Sequence, residues 1–337
     1  MITSRLGYAA LLCLMALLVA GLMIAGIIAG TVTLPVRQVM AALTGREAWV
    51  PDMVARIVID LRLPRSVLAA AAGAGLAMVG AYLQTATRNA LADPFLFGLS
   101  SGASAGAVLI ITRLGDSLGQ WSLPLAVFAG GITSALAVIA LFLLQATRGA
   151  DRLVICGLAI SFLFGAFTHY LVFSGDQRAA GALLFWTLGG LGLARWDNLP
   201  FALLPLVMLF GLLGLRWRSL DALLAGETVA LSLGVAVIRL RMEIFLVCAL
   251  ATSLLVALTG VIGFVGLMIP HLARPLCGIR HRRVLPLCAL LGAALLCGGD
   301  LLSRLLIAPQ ELPIGIITAG MGGFFVLSLL LRGHRPG

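Results

Sequence analysis

The side chains that could do chemistry are few and lopsided. The 337 residues hold 23 arginines, no lysine, 13 acids and 4 histidines. A phosphate-binding loop that hydrolyses nucleotides needs its lysine. Such a site is therefore excluded here, and any process driven by ATP must draw it from another polypeptide. His169 and His271 stand singly in apolar surroundings, where an imidazole is more often packed or capped than ligating. No HExxH, no GxSxG and no acidic pair is present, so the chain has no constellation for hydrolytic or metal-assisted catalysis. Asp300 and Arg304 lie one helical turn apart and suit an ion pair. Glu243 borders an apolar stretch, and no such stretch carries a central, unpaired carboxylate of the kind that proton-coupled pathways use. Six cysteines are scattered without a CxxC pair and read as small apolar residues.

One stretch combines polar and bare residues. "RNALADPFLFGLSSGASAG" (88–106) opens with Asn89, Asp93 and Pro94, residues suited to a turn and a helix cap. It continues with Gly98, Gly102 and Gly106, four apart, on one line of a helix. Such a stripe lets helix backbones approach closely in lipid. The expected element is a tight re-entry followed by a closely packed helix beside a central pathway.

The elements that must position these residues are set by composition. The chain is 61% hydrophobic and 11% charged, which belongs to the multi-span membrane class. A spanning helix needs about 20 mostly apolar residues, and period-two alternation of the barrel kind is absent. Ten helices are expected, at 7–32, 64–86, 95–112, 122–145, 153–173, 199–215, 242–261, 264–278, 284–306 and 313–331. The eighth is short, carries Pro270 and Pro275, and is a candidate for a broken or tilted helix. The first is too long for a signal-peptide core and reads as retained. The whole chain, 1–337, then forms one transmembrane domain.

An even count puts both termini on one side. With that side cytoplasmic, thirteen arginines fall inside and nine outside, which favours N-in and C-in. The formal charge of +10 is thus that of basic membrane loops, and no nucleic-acid partner is implied. Residues 34–60 mix polar and apolar positions and suit a surface helix. The cytoplasmic stretch 219–241 has room for two short helices around Gly226. It fits a protein contact or an interfacial helix equally well.

Three blocks resemble the FecCD-type permeases, the membrane subunits of type II ABC importers for cobalamin, ferric siderophores and haem. They are "LRLPRSVLAAAAGAGLAMVGAYLQTATRNALADPFLFGLSSGASAGA", "GVIGFVGLMIPHLARPLCGIRHRRVLP" and "ELPIGIITAGMGGFF", in the family's order along nearly the whole chain. The resemblance implies an all-α permease of ten helices in the bacterial inner membrane, working as a homodimer. Its implied partners are two ATP-binding cassette ATPases and a periplasmic binding protein, with membrane lipid around it. It implies no permanently bound cofactor and no catalysis by this chain, ATP being used by the partner subunit. The family's coupling motif matches Gly226, Glu227, Ala230, Leu233 and Gly234 in the loop at about 219–234, which implies that this loop docks on the ATPase. The "RLPR" arginines and the one before "ELPIG" match Arg62, Arg65 and Arg304. The resemblance assigns them to carboxylates of the binding protein, and a guanidinium grips a carboxylate bidentately.

Two departures stand out. Ala90 replaces the proline of the family's "NPLA", and Gly322–Gly323 replaces "GAP". For cargo, His169, Tyr170 and Arg178 near the outer end of the fifth helix are candidate contacts: arginine suits haem propionates and histidine can ligate iron. The expected cargo order is haem, ferric siderophore, cobalamin. The alternative from another class is a stand-alone secondary transporter.

Overall fold

The computed structural model describes residues 4–30, 32–45, 50–114, 119–145, 149–175, 181, 184 and 186–332. Its regular elements are helical throughout. The first is α1 (Arg5–Ile28), capped by Ser4, whose Oγ accepts from the Gly7 N–H. Then come α2 (Val36–Leu43), α3 (Asp52–Arg56) and a π-helical segment, Ile57–Arg62, that runs straight into α4 (Leu63–Thr87). After the turn at 88–98 follow α5 (Leu99–Leu109), α6 (Ser122–Leu143) and α7 (Ala150–Phe173). The chain continues as α8 (Leu199–Ala225), the short α9 (Glu227–Ser232) and α10 (Val237–Thr259). It closes with α11 (Val265–Cys277), α12 (His281–Leu305) and α13 (Ile314–Arg332).

All ten stretches expected to be helical contain a helix. Eight of the helices among the described residues are long and apolar enough to cross a bilayer. The helices at 99–109 and 265–277 fall short of the roughly 20 residues that a span requires. The sixth helix runs further than expected, to Ala225. The first half of the 219–241 stretch is therefore no separate helix but the end of α8. The break at Gly226 is real, with φ +133°, a region that favours glycine. The described residues of the mixed stretch at 34–60 form α2, α3 and the start of the π segment, beside a small core of Ile27, Val39, Ala42, Val50 and Val58.

The α4 helix is the centre of the bundle. Of its most apolar stretch 89% is buried, against 11% for α1 and 17% for α13, so those two offer their sides to lipid or to another chain. Around α4 pack α8, α10, α11 and α12. Small residues make this possible, since hydrophobic driving force between helices is weak in lipid and close backbone approach replaces it. A Cβ on Gly73 would come within 2.1 Å of the Gly292 carbonyl oxygen on α12, and one on Gly80 within 2.0 Å of the Gly266 oxygen on α11.

Candidate functional site

The depth at which α11 begins defines the first functional region. Gly266 lies against Gly80, seven residues before the end of α4, so about 10 Å inside that helix at 1.5 Å per residue. The connection from α10, residues 260–264, therefore descends into the bundle as non-helical backbone. Gly260 has φ +64° and Phe264 φ +67°, the latter unusual for a bulky side chain. The segment at Leu188–Gly190 packs beside this descent, a Cβ on Gly189 coming within 2.5 Å of the Val261 oxygen; the Gly190 N–H donates to the Thr259 carbonyl at the end of α10 (2.8 Å) and the Gly315 N–H in the first turn of α13 to the Leu188 carbonyl (3.0 Å). Non-helical backbone at membrane depth survives only where protein buries it or where it lines a cavity. Here a cavity of about 460 Å³ adjoins it, lined by Leu91, Asp93, Phe95, Leu188, Val261, Phe264 and Gly315.

Asp93 is the charged group at this cavity. Its Oδ1 accepts from the Phe95 N–H (3.0 Å), and the carboxylate also accepts from the Leu267 N–H in the first turn of α11. Burial pushes its pKa up to about 6, against the lowering effect of the two N–H donors. The turn expected at 88–94 is present: the Asn89 Oδ1 accepts from the Leu91 N–H (2.9 Å), and Arg88 is left-handed at φ +52°. Gly322 makes room for the Phe264 ring, whose Cγ a Cβ there would approach to 2.3 Å. The α13 helix continues unbroken through Gly322–Gly323.

The second region is the N-terminal end of α4, where three arginines gather. Arg62 is 7% exposed; its Nη1 donates to the Ile27 and Ile28 carbonyls (2.9 and 2.8 Å) and its Nη2 to Val32. Arg304 donates from Nη1 to Gly26 and Ala29 (2.8 and 3.1 Å) and pairs through Nη2 with Asp300 (2.8 Å). Both guanidiniums thus cap the C-terminal carbonyls of α1, groups that no intrahelical donor serves. Arg65 bridges Asp300 and Glu311, at 2.8 Å each. Three guanidiniums against two carboxylates leave one positive charge in the cluster.

The three arginines expected to meet a partner's carboxylates differ in exposure. Arg62 and Arg304 are turned inward, with donors engaged by helix-end carbonyls and Asp300. Arg65, with 16% of its side chain exposed, reaches the surface, and the more exposed Glu311 holds its outer nitrogen. A hollow of about 170 Å³ opens beside that pair, lined by Gly189, Gly190, Leu312 and Pro313. The π-helical turn that carries Arg62 and the glycines that admit its guanidinium went unread in the sequence. A Cβ on Gly30 would come within 2.9 Å of the Arg62 Nη2. The signal available was the glycine pair Gly26 and Gly30 at the end of the first helix.

The third region is the opposite end of α4. Gly226 and Gly234 (φ +77°) bracket α9. Ala230 is fully buried, while Val229, Leu231 and Leu233 (68%) are exposed. Glu227, at the start of α9, forms an ion pair with Arg241 of α10, which is 1% exposed. The Arg241 Nε also donates to the Ala86 carbonyl in the last turn of α4 (2.9 Å). One residue earlier, the Thr85 Oγ1 hydrogen-bonds His281 Nε2 (2.8 Å), and His281 Nδ1 meets Asp221 of α8 at 2.6 Å. The last turn of α4 is therefore tied by side chains to α8, α9, α10 and α12. Sequence reading missed Arg241, although "RLR" begins five residues after the last residue of the coupling motif.

The remaining candidates lie elsewhere. The stripe of Gly98, Gly102 and Gly106 packs α5 on α6. A Cβ on Gly102 would come within 2.5 Å of the Gly130 oxygen, and one on Gly106 within 2.0 Å of the Ala126 oxygen. The 460 Å³ cavity is lined by other residues. His169 and Tyr170 sit on the exposed side of α7, Tyr170 at 62%, and do not line it. Arg178 lies outside the described residues.

These features define a multi-pass helical membrane protein with a broken-helix cavity between two charged ends. The chain belongs to the FecCD transport family, whose model matches residues 16–332. It is 40% identical over 280 residues to the Fe(3+) dicitrate permease protein FecD of Escherichia coli, covering 82% of this chain and 85% of FecD. It is 37% identical over 310 residues to the hemin permease protein HmuU of Yersinia pestis, covering 90% of each. It is 36% identical over 291 residues to the vitamin B12 permease protein BtuC of Vibrio cholerae, covering 86% of each. A solved structure described as an inward-facing conformation of a provisionally assigned metal-chelate type ABC transporter matches with TM-score 0.83 at 29% identity, over 96% of this chain and 99% of that one.

Proposed function

We propose that this chain is the permease subunit of an ATP-driven importer of metal chelates or cobalamin in the bacterial inner membrane, carrying cargo from periplasm to cytoplasm. The observation that carries the proposal is α9, an exposed apolar helix fastened through Glu227 and Arg241 to the buried centre of the bundle. An ATPase gripping Val229, Leu231 and Leu233 would displace α9. The Arg241 guanidinium passes that displacement to the last turn of α4, and α4 runs the length of the bundle to Arg65. The end holding α9 is then cytoplasmic, with N-in and C-in, and the Arg65 end periplasmic.

Two copies form the pathway, meeting through the exposed apolar sides of α7 and α13. A binding protein docks at the hollow beside Arg65, its carboxylate competing with Glu311. Arg62 and Arg304 hold α1 and α12 in place beneath. Cargo moves past the cavity around Phe264, which admits a bulky, largely apolar chelate. Haem is the cargo we favour, with ferric siderophore and cobalamin behind it.

The test is uptake into vesicles holding the chain, its ATPase and its binding protein, with haem, a ferric siderophore and cobalamin offered in turn. ATP-dependent accumulation of one cargo is expected. Uptake that ignores ATP and follows an ion gradient would instead establish a secondary transporter. Arg65→Glu should abolish stimulation of ATP hydrolysis by the binding protein and leave basal hydrolysis intact.

A further inference from the structure

The buried arginines among the described residues, Arg62, Arg241 and Arg304, are matched by carboxylates or carbonyls, but two exposed ones near the α9 end are not. Arg218 and Arg282 have no carboxylate or carbonyl partner among the described residues; each instead stacks on the Trp217 ring, with Cζ 5.0 and 4.8 Å from its centroid. Below them Phe210, Leu213, Gly214 and Trp217 fall at i, i+3, i+4 and i+7 of α8, one face of the helix. With Arg282 they line a crevice of about 250 Å³. Gly214 keeps it open, since a Cβ there would meet nothing within 4 Å.

We propose that this crevice binds one anionic phospholipid, its phosphate between Arg218 and Arg282 and its upper acyl chain along Gly214 to Phe210. Three observations select that ligand. First, the charge has no carboxylate partner: Arg282 on the crevice wall and Arg218 beside the crevice stack on the one Trp217 ring, and arginine forks suit phosphate oxygens. Second, Phe210 lies seven residues down α8 from Trp217, about 10 Å, so the crevice leads from a charged rim into the apolar depth of the span. A water-borne protein or a free phosphate would fill the rim and leave the floor empty. Third, this is headgroup level. Tyr8 at the start of α1 donates to the Arg283 carbonyl (2.8 Å), and Arg283 lies over the Tyr8 ring. Aromatic rings with basic neighbours mark the membrane interface, and basic pockets between helices on the cytoplasmic side take anionic headgroups. The site rests on the chain being a membrane protein and is independent of cargo.

The experiment uses the full chain in nanodiscs containing phosphatidylglycerol or phosphatidylcholine brominated on the upper acyl chain. Bromine quenches nearby indole fluorescence, and the contribution of Trp217, one of 5 tryptophans, is the difference between wild type and Trp217→Phe. We expect this component to be quenched several-fold more by the phosphatidylglycerol than by the phosphatidylcholine at equal mole fraction. In the Arg218→Gln/Arg282→Gln variant the ratio should fall to about one. Equal quenching in the wild type would overturn the proposal. Gly214→Leu, which fills the crevice and keeps both arginines, supplies a second check. Wild type purified in mild detergent should retain phosphatidylglycerol detectable by mass spectrometry, and this variant should lose it. Equal retention by both would also refute the site.

Discussion

The two ends of α4 use the same residue in opposite ways. At the Arg62 end, Arg62 and Arg304 are folded into the protein; their donors serve the last carbonyls of α1 and, from Arg304, the Asp300 Oδ2, while Arg65 holds the Asp300 Oδ1. At the Ala86 end the arginines divide. Arg241 is buried and joins α9 to α4, whereas Arg218 and Arg282 keep their charge at the surface. A buried guanidinium is costly to strip of its partner because the charge left behind has lost its water. An exposed one costs little, because solvent replaces the partner. The first end is built as a clamp. The second is built as a joint with contacts to spare for other molecules.

The sharpest way to break this contrast is Asp300→Ala. It removes the carboxylate shared by Arg65 and Arg304 and should destabilise the chain by about 3–5 kcal/mol. Thermal unfolding in detergent, followed by static light scattering, would read it; a change below about 1 kcal/mol would mean that the clamp is not structural. Next in size is Gly80→Val, which drives a side chain into the Gly266 carbonyl and should cost about 1–3 kcal/mol by overpacking. The same assay measures it, and Gly214→Ala at the open crevice should cost far less.

Arg241→Ala probes the joint rather than the clamp. We expect the ATPase still to co-purify and basal hydrolysis to persist, while cargo moved per ATP falls about tenfold; an unchanged ratio would remove Arg241 from the coupling route. Loss of co-purification by the wild type would instead argue against the importer.

The pH dependence is smaller. Folding raises the Asp93 pKa from 3.8 to about 6, so the folded state favours the protonated acid. This contribution to stability is fully present below about pH 4 and is lost as pH rises through 6. The melting temperature of wild type relative to Asp93→Asn should therefore rise as pH falls from about 7 to 4, and a flat difference would show that the carboxylate is not desolvated. The smallest effect belongs to Arg239→Gln. Its side chain is 79% exposed and Arg216 also holds Glu243, so a shift within about 0.5 kcal/mol is expected from chemical denaturation.

Some elements could be read before any coordinates. Apolar runs located the eight helices of spanning length among the described residues, because a bilayer demands them locally, residue by residue. Gly226 announced the break before α9, and Asn89 and Asp93 their turn, because backbone conformation and capping act within a few residues. The FecCD resemblance followed from motif order, again a property of the chain alone.

What the linear order could not supply was partnership. Arg62 and Arg304 look like exposed interface residues until α1 is seen ending beside them, its carbonyls at Gly26, Ile27 and Ile28 in reach. Gly73 meets Gly292 and Gly80 meets Gly266 across more than 180 residues of chain, so neither contact leaves a local pattern. The depth of residues 260–264, the cavity beside Phe264 and the crevice under Trp217 arise where several helices pack together. Composition and spacing determined which segments enter the membrane and where they turn, since hydropathy and backbone preference are properties of neighbours in sequence. Only the tertiary structure decided which charges are spent inside the protein and which remain for others, because burial is conferred by helices that the sequence holds far apart.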